Sequence, residues 1–426
     1  MTEAHAEVDA RLVEVLREER GRLVGALVRQ LGDWDVAEEL VQDAALAALE
    51  HWPSRGIPDN PGAWLMTTAR RRGLDLLRRH ARYRDRLAVL GAEATDATHP
   101  ERTDGAMGAD DRLPLLFTCC HPALSREAQV ALTLRTIIGL ETAAIARAFL
   151  VSEATIAQRL VRAKRKIRDA NIPYRVPDAA ELPSRLGEVL SALYLVFNEG
   201  YLASSGEAAE RRHLAQDAEW LATLLVRLMP QASEAIGLLA LMRLHLARAE
   251  TRFTAGGDLV LLADQDRARW DRVAIAEAVT LLETAERLGQ PGPYQLQAAI
   301  LATHATATSW ASTPWDRIVA LYDALHLLSP TPVVGLNRAL AIAERDGPGP
   351  ALEALDLLAS RLDGYHLYHA ARAELLRRSG DPDGERGANE RALGLTDNPA
   401  ERRLLEARLA ANQRGQTGSA RSGGPT

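Results

Sequence analysis

The stretch ETAAIARAFLVSEATIAQRLVRAKRKIR, residues 141–168, contains two short helical patterns separated by a tight turn. Ala146 in the first helix and Ile156 ten positions later are a small and a branched apolar residue. That pairing lets two helices cross closely, which is the core signature of a helix-turn-helix. Ser152 stands where its hydroxyl caps the second helix. That helix carries six basic residues against Glu153 and Asp169. Its first turns offer Glu153, Thr155, Gln158, Arg159 and Arg162, followed by Lys164 and Arg165. Side chains suited to base edges come first and a basic stretch for phosphates follows, the composition of a major-groove reader. The competing reading is a basic helix that faces only solvent. Leu150-Val151 occupies a turn where many such units place a left-handed glycine. A leucine held left-handed there costs about 1 kcal/mol or more, so a different turn geometry is expected.

Working outward, residues 112–172 form a compact helical block that ends basic and is stopped by Asn171-Ile172-Pro173. Within it, Leu124–Leu134 reads as a helix with Ser125 placed as its N-cap. Residues 87–111 are rich in Gly, Ala, Thr and acids without a clear period and read as a linker. Residues 8–86 form another helical block. There Val36, Leu40, Ala44 and Ala47 recur at helical spacing, opposite Asp35, Glu38, Glu39, Gln42 and Asp43. On charge alone those acids are a solvated face. A Pro/Gly loop through Asp59, Asn60 and Pro61 then leads to Trp64 and a basic helix. From Arg70 to Arg86 there are eight arginines, among them Arg70, Arg71, Arg72, Arg78 and Arg79, against two aspartates. A helix that basic, entered through a loop and a tryptophan, suits a phosphate backbone and an unstacked base. A core tryptophan anchoring the helix is the other reading of Trp64.

Composition agrees with helix throughout. The 426 residues are 47% hydrophobic but only 4% aromatic, with Ala, Leu and Arg recurring, and alternating Val/Ile runs are nearly absent, so an all-α protein is expected. The net charge of −6 argues against nucleic acid only as an average; the charge is segregated, and local charge decides binding. The two cysteines, Cys119 and Cys120, are adjacent and cannot build a disulfide framework. With His121 they form a soft-ligand cluster, yet zinc sites use spaced pairs, so a structural role is favoured over metal or redox sensing. No P-loop, GxGxxG, HExxH or Ser/His/Asp order appears, and Glu199 reads as a helix end closed by Gly200 rather than as a catalytic acid. The acidic N-terminus lacks the form of a signal peptide, and no apolar run reaches the ~18–20 residues of a membrane helix. No catalysis, metal or cofactor is expected, and a soluble cytoplasmic setting is.

From about 184 to 412 the chain is a series of amphipathic helices with weak internal repetition, and residues 413–426 read as a disordered tail. Trp315, Ile318 and Tyr322 share one helical face, Thr331–Ala343 supplies a second helix, and the Tyr368–Leu376 segment is followed by Gly380, Ala388, Ala392 and Pro399. Such units resemble tetratricopeptide repeats, with an irregular helical bundle as the alternative.

The order of acidic helix with Leu-Val-Gln-Asp, short loop, Asn-Pro-x-x-Trp-Leu and Leu-Asp-Leu-Leu-Arg-Arg resembles region two of extracytoplasmic-function RNA polymerase sigma factors. The helix-turn-helix block resembles region four of the same family. The Cys-Cys-His-Pro stretch, the Leu-Val-Phe-Asn-Glu-Gly-Tyr stretch and the repeat-like extension are similar to a large-extension subgroup. The resemblance implies that Asp35, Glu39, Gln42 and Asp43 face the β′ clamp helices of core RNA polymerase. It implies that Asp59 and Asn60 pocket a base flipped from the promoter −10 strand, with Trp64, Arg70, Arg71, Arg72, Arg78 and Arg79 near the melting fork. Thr155, Gln158, Arg159, Arg162, Lys164 and Arg165 would read the −35 element, with region four on the β flap. Ala157 sits where many relatives carry a base reader, so the −35 sequence does not follow. The linker, with Glu93, Asp96, Glu101, Asp104, Asp110 and Asp111, would thread the polymerase channels; a plain tether is the alternative. The extension would meet polymerase or a protein partner, and no membrane. The rival reading is a stand-alone, repeat-containing helix-turn-helix regulator that binds duplex DNA without polymerase.

Overall fold

The structure is a computed structural model, and it describes residues 3–89, 110–149, 151–201, 208–254 and 256–422. Its contacts divide the chain into two compact units, Met1–Val196 and Phe197–Thr426. Among the described residues the elements are helical, and the β pairing is confined to one isolated bridge between Phe253 and Leu259.

The first unit opens with three helices packed on one another: α1 (Glu3–Leu31), α2 (Trp34–Arg55) and α3 (Pro61–Val89). Asp33 starts α2 by accepting from the amides of Asp35 and Val36 at 2.9 and 3.1 Å. The apolar stripe of α2 does what its spacing requires: Ala37, Leu40, Val41, Ala44, Ala47, Ala48 and Trp52 are buried. Leu23 and Leu27 of α1 and Leu65 of α3 complete that core. Four further helices follow: α4 (Arg112–Cys119), α5 (Arg126–Thr133), α6 (Thr142–Ala148) and α7 (Glu153–Asp169), with α8 (Leu182–Tyr201) after them.

Ser125 and Ser152 cap α5 and α7 as their positions require, accepting from Ala128 and Thr155 at 3.3 and 3.1 Å. Ala146 and Ile156 are both buried where α6 crosses α7. Of the turn between them, Val151 is described and is not left-handed, while Leu150 lies outside the described residues. Asn171 takes a left-handed conformation just beyond α7, and the Ile172 amide reaches back to the Ile167 carbonyl at 2.9 Å. That closure is how the helix stops before Pro173. Between α5 and α6, Leu134–Ile138 form one π-helical turn ended by a left-handed Gly139. Gly139 is needed there for a second reason: a Cβ would lie 2.5 Å from Cδ of the buried Arg20.

The second unit contains α9 (Ala208–Leu228), α10 (Ser233–Leu246), α11 (Arg272–Arg287), α12 (Pro293–Thr306), α13 (Trp315–Leu328), α14 (Pro332–Asp346), α15 (Pro348–Asp356), α16 (Ala359–Leu362), α17 (His366–Arg378), α18 (Pro382–Leu393) and α19 (Pro399–Ser422). Three helices, α13, α15 and α18, begin 33 or 34 residues apart, and so do their partners α14, α17 and α19. That is the period of a tetratricopeptide repeat, in which each hairpin buries its apolar face only against the next. One continuous core results: Ile318 and Val319 meet Leu336, Leu355, Tyr368 and Leu375, with Trp315 and Tyr322 packed on its edge.

Two local expectations change. The α8 helix runs through Gly200 to Tyr201, because Gly200 is buried with a right-handed backbone and so does not close the helix. The α19 helix runs to Ser422, through residues whose composition reads as a tail. Buried Ala400, Leu405 and Asn412 already hold its first turns, and extending a formed helix needs no new nucleus.

Candidate polymerase and promoter interfaces

The acidic side of α2 is not uniform. Glu39 and Gln42 are exposed, and the Asp35 side chain is 77% exposed. Asp43 pairs with Arg72 of α3, Oδ2 to Nη1 at 3.0 Å. One acceptor missed as a site residue, Glu38, is buried. It accepts from the Thr136 hydroxyl at 3.2 Å and from Lys164 Nζ at 3.1 Å. Its sequence signal was its position between Ala37 and the Leu40–Val41 pair, on the rim of the apolar stripe rather than opposite it.

Lys164 also donates to Asp35 at 2.8 Å, so one lysine of the basic helix bridges two carboxylates of the acidic one. Of the expected −35 contacts, Lys164 is thus engaged by α2. Lys164 follows Ala163 and precedes Ile167 on the inward stripe of α7, and its side chain is only 14% exposed. The other expected readers behave differently: Thr155, Gln158, Arg162 and Arg165 are exposed and Arg159 is half-buried. Arg165 pairs along its own helix with Asp169. Lys166 and Arg168 add to the same open basic surface.

In the loop before α3, Asp59 is exposed, whereas Asn60 caps the helix: its Oδ1 accepts from the Ala63 amide at 3.0 Å. Trp64 is half-buried, edge-on to Trp52 with ring centroids 5.6 Å apart. It is thus packed against the core and partly exposed. Arg70 and Arg71 are exposed, Arg72 is held by Asp43, and Arg78 pairs with Asp75 at 3.4 Å. The side chain of Arg79 lies outside the described residues, as do Glu93, Asp96, Glu101 and Asp104. Asp110 pairs with Arg112, and Asp111 with Arg29 at 3.0 Å. The Tyr174 hydroxyl donates to the carbonyls of both Gly25 and Asp111. These last two linker acids therefore fasten the start of α4 rather than standing free.

Cys119 and Cys120 are completely buried. Burial raises the Cys119 thiol well above its ordinary range and pushes Cys120 to about 11, so both stay protonated at neutral pH. A thiol kept protonated is a poor nucleophile. Cys120 makes a 3.5 Å contact with the Thr133 hydroxyl, and among the described residues no group of three potential ligands converges on a metal position.

With this geometry in place, comparison with known proteins assigns the blocks. Residues 15–83 match the family model of sigma-70 region 2, and residues 115–167 match that of sigma-70 region 4. Residues 185–286 match a family of unknown function, DUF6596. A protein of Rhizobium meliloti (strain 1021), described as uncharacterized protein R00370, is 44% identical over 395 residues, 92% of this chain and 93% of its own. The ECF RNA polymerase sigma factor SigL of Mycobacterium tuberculosis (strain H37Rv) is 32% identical over 166 residues, 38% of this chain and 90% of its own. The crystal structure of yeast Tom70 aligns over 97% of this chain and 86% of its own with a TM-score of 0.38 and 12% identity. The repeat reading rests on the helix spacing instead. Regions 2 and 4 together define a sigma-70-type factor of transcription initiation. More narrowly, the chain belongs to the ECF RNA polymerase sigma factors, with a long helical extension behind the two domains. Sigma factors are transcription factors rather than enzymes, and such domains imply core RNA polymerase and promoter DNA as partners. No described helix is long and apolar enough to cross a membrane.

Proposed function

We propose that this sigma factor engages the β′ clamp helices of core polymerase through Asp35, Glu39, Gln42 and Asp43, and the β flap through region 4. Promoter −10 DNA is taken by the loop at Asp59 and Asn60 with Trp64, Arg70, Arg71, Arg72, Arg78 and Arg79. The −35 element is read by Thr155, Gln158, Arg159, Arg162 and Arg165, and Lys164 joins them once it leaves α2. The observation that carries the reading is the open face of α7, whose polar residues near the capped N-terminus are exposed ahead of four exposed basic ones, Arg162, Arg165, Lys166 and Arg168. Bases inspected first and phosphates gripped behind them are what a duplex-reading helix needs. Melting requires no nucleotide cofactor on this reading, since captured bases and backbone contacts drive it. The extension regulates rather than catalyses, through polymerase or a partner protein, and the factor works in the cytoplasm.

The Lys164 bridge adds a condition. Asp35 is a polymerase-facing residue and Lys164 a DNA-facing one, so each occupies the other until the seam opens. The test is binding of the purified full chain to bacterial core RNA polymerase, followed by footprinting on a promoter library. Saturable binding with single-stranded reactivity near −10 is expected. Specific duplex binding without any affinity for polymerase would overturn the reading in favour of a stand-alone regulator.

A further inference from the structure

The matched family of unknown function covers part of a second concentration of positive charge, in the extension and far from α7 in sequence. Four arginines, Arg248, Arg252, Arg267 and Arg272, come from the end of α10, the irregular segment after it and the start of α11. Their hydrogen bonds run to neutral partners. Arg248 reaches the Gln265 side-chain oxygen at 3.2 Å, and Arg252 the Tyr201 carbonyl. Arg267 reaches the carbonyls of His304 and Ala307 at 2.7 and 2.8 Å, and Arg272 those of Ala305 and Arg267. Among the described residues none of the four pairs with a carboxylate, although Glu250 and Asp264 stand exposed in the same stretch. Asp258 pairs with Arg403, and Asp266 and Asp271 cap helical turns.

Helix capping accounts for part of this charge. The carbonyls of Tyr201, His304, Ala305 and Ala307 lie at the ends of α8 and α12, while that of Arg267 does not, and α10 ends beside Arg248. Each helix C-terminus carries roughly half a negative charge. These helix ends offset part of the guanidinium charge. The cluster also contains donors and acceptors that nothing satisfies: Arg248 Nε, Arg267 Nη2, the Tyr201 hydroxyl and His304 Nδ1 are buried without a partner. Arg267, Tyr201 and His304 are each more than nine-tenths buried, whereas Arg248 and Arg252 are half-exposed and reachable from solvent. Both reachable guanidiniums address one ring, with Arg252 Cζ 3.9 Å and Arg248 Cζ 6.0 Å from the Tyr201 centroid. His245, 4.7 Å from the same ring, is driven to its neutral form by burial beside Arg248 and Arg252 and adds no charge of its own.

We propose that Arg248 and Arg252, backed by Arg267 and bordered by Tyr201 and Gln265, form an oxyanion site that binds the phosphate of a small phosphorylated molecule. Two adjacent guanidiniums that no carboxylate occupies, one with an unsatisfied Nε, suit the several acceptor oxygens of a phosphate group, which carries about −1.5 to −2. The site lies outside residues 15–167, so it stands or falls independently of the promoter roles above.

Calorimetric titration of the full chain with sodium phosphate, against sodium chloride at equal ionic strength, tests this. Saturable binding of phosphate is expected, with Arg252→Gln weakening it about tenfold, the loss of one charge-assisted hydrogen bond. Arg317→Gln, on the exposed surface of α13, should leave it unchanged. Should Arg252→Gln fail to fold, Arg248→Gln serves, because Arg248 bonds a side chain rather than a helix end. Glycerol phosphate binding tighter than inorganic phosphate would identify an organic phosphate as the ligand, and the reverse order the free ion; either supports the site. Phosphate and chloride giving the same heats, or Arg252→Gln and Arg317→Gln giving the same affinity, would overturn it.

Discussion

The helix α7 and the arginine cluster around Tyr201 are both basic, yet their charges stand in opposite circumstances. On α7 the arginines come from one short run and, apart from the half-buried Arg159, are exposed to solvent, where a phosphate backbone can reach them without any rearrangement. Around Tyr201 they come from separate turns, lie partly or wholly inside the fold, and close the ends of helices. The first set costs the fold little and waits for a partner; the second is part of the fold and keeps donors that the fold does not satisfy. Counting basic residues along a chain does not separate the two, because what differs is whether hydrogen bonds to the fold itself already occupy the guanidinium.

Four measurements would break or sharpen that contrast. The largest effect is expected from the double change Arg162→Ala and Arg165→Ala. Promoter affinity of the reconstituted holoenzyme should fall about 10–100-fold and its salt dependence should flatten by about two counterions, while chain stability stays within about 0.5 kcal/mol. A stability loss of the same order as the affinity loss would place these arginines in the fold instead. Arg267→Ala should behave in the converse way. Its guanidinium serves two carbonyls, so urea unfolding of the extension should lose about 2–3 kcal/mol with promoter affinity unmoved.

Gly237→Ala comes next and asks whether the helices that carry the cluster are as close as they stand. A Cβ there would lie 2.8 Å from the Gln295 amide nitrogen, so α10 and α12 must separate. A loss of about 1–3 kcal/mol is expected, against the gain in helix propensity that alanine brings elsewhere. The smallest effect concerns pH. His304 faces Arg267 and Arg248 and stacks near Trp310 and Trp315, and burial with those cations lowers it from 6.5 to about 4. A depressed folded value means that its contribution is complete above pH 6.5 and is lost as pH falls toward 4. Unfolding midpoints of the extension recorded between pH 7 and 4 should decline, and His304→Gln should flatten the decline.

Most of the first unit was legible before any coordinates. Periods of 3.6 residues, serine caps and the Ala146–Ile156 pair are local features, and local features are what a sequence displays. The pairing of Lys164 with α2 was not legible, because a basic run suggests uniform exposure whereas Lys164 stands beside the buried stripe of Leu160, Ala163 and Ile167. Glu38 and Asn60 were under-read for a related reason: a carboxylate at the rim of an apolar stripe and a cap at a loop end each belong to the fold. The arginine cluster was invisible, since residues 248, 252, 267 and 272 acquire a common environment only through packing of α8, α10 and α12. The repeat was seen only faintly in residue identities, because small residues at helix crossings are common to many arrays; its 33–34-residue spacing became plain once helix ends were known.

Glu38 has one further consequence. Both of its partners, the Thr136 hydroxyl and the Lys164 ammonium, belong to the second helical block, and its carboxylate is shut away from solvent. A carboxylate so dehydrated does not surrender one ligand and keep the other at leisure, because the half-released state strands charge in a dry place. Separation of the two domains is then a threshold event rather than a gradual drift: the seam behaves as a catch, either shut or sprung, and a polymerase surface that draws Lys164 away from Asp35 works against the whole catch at once.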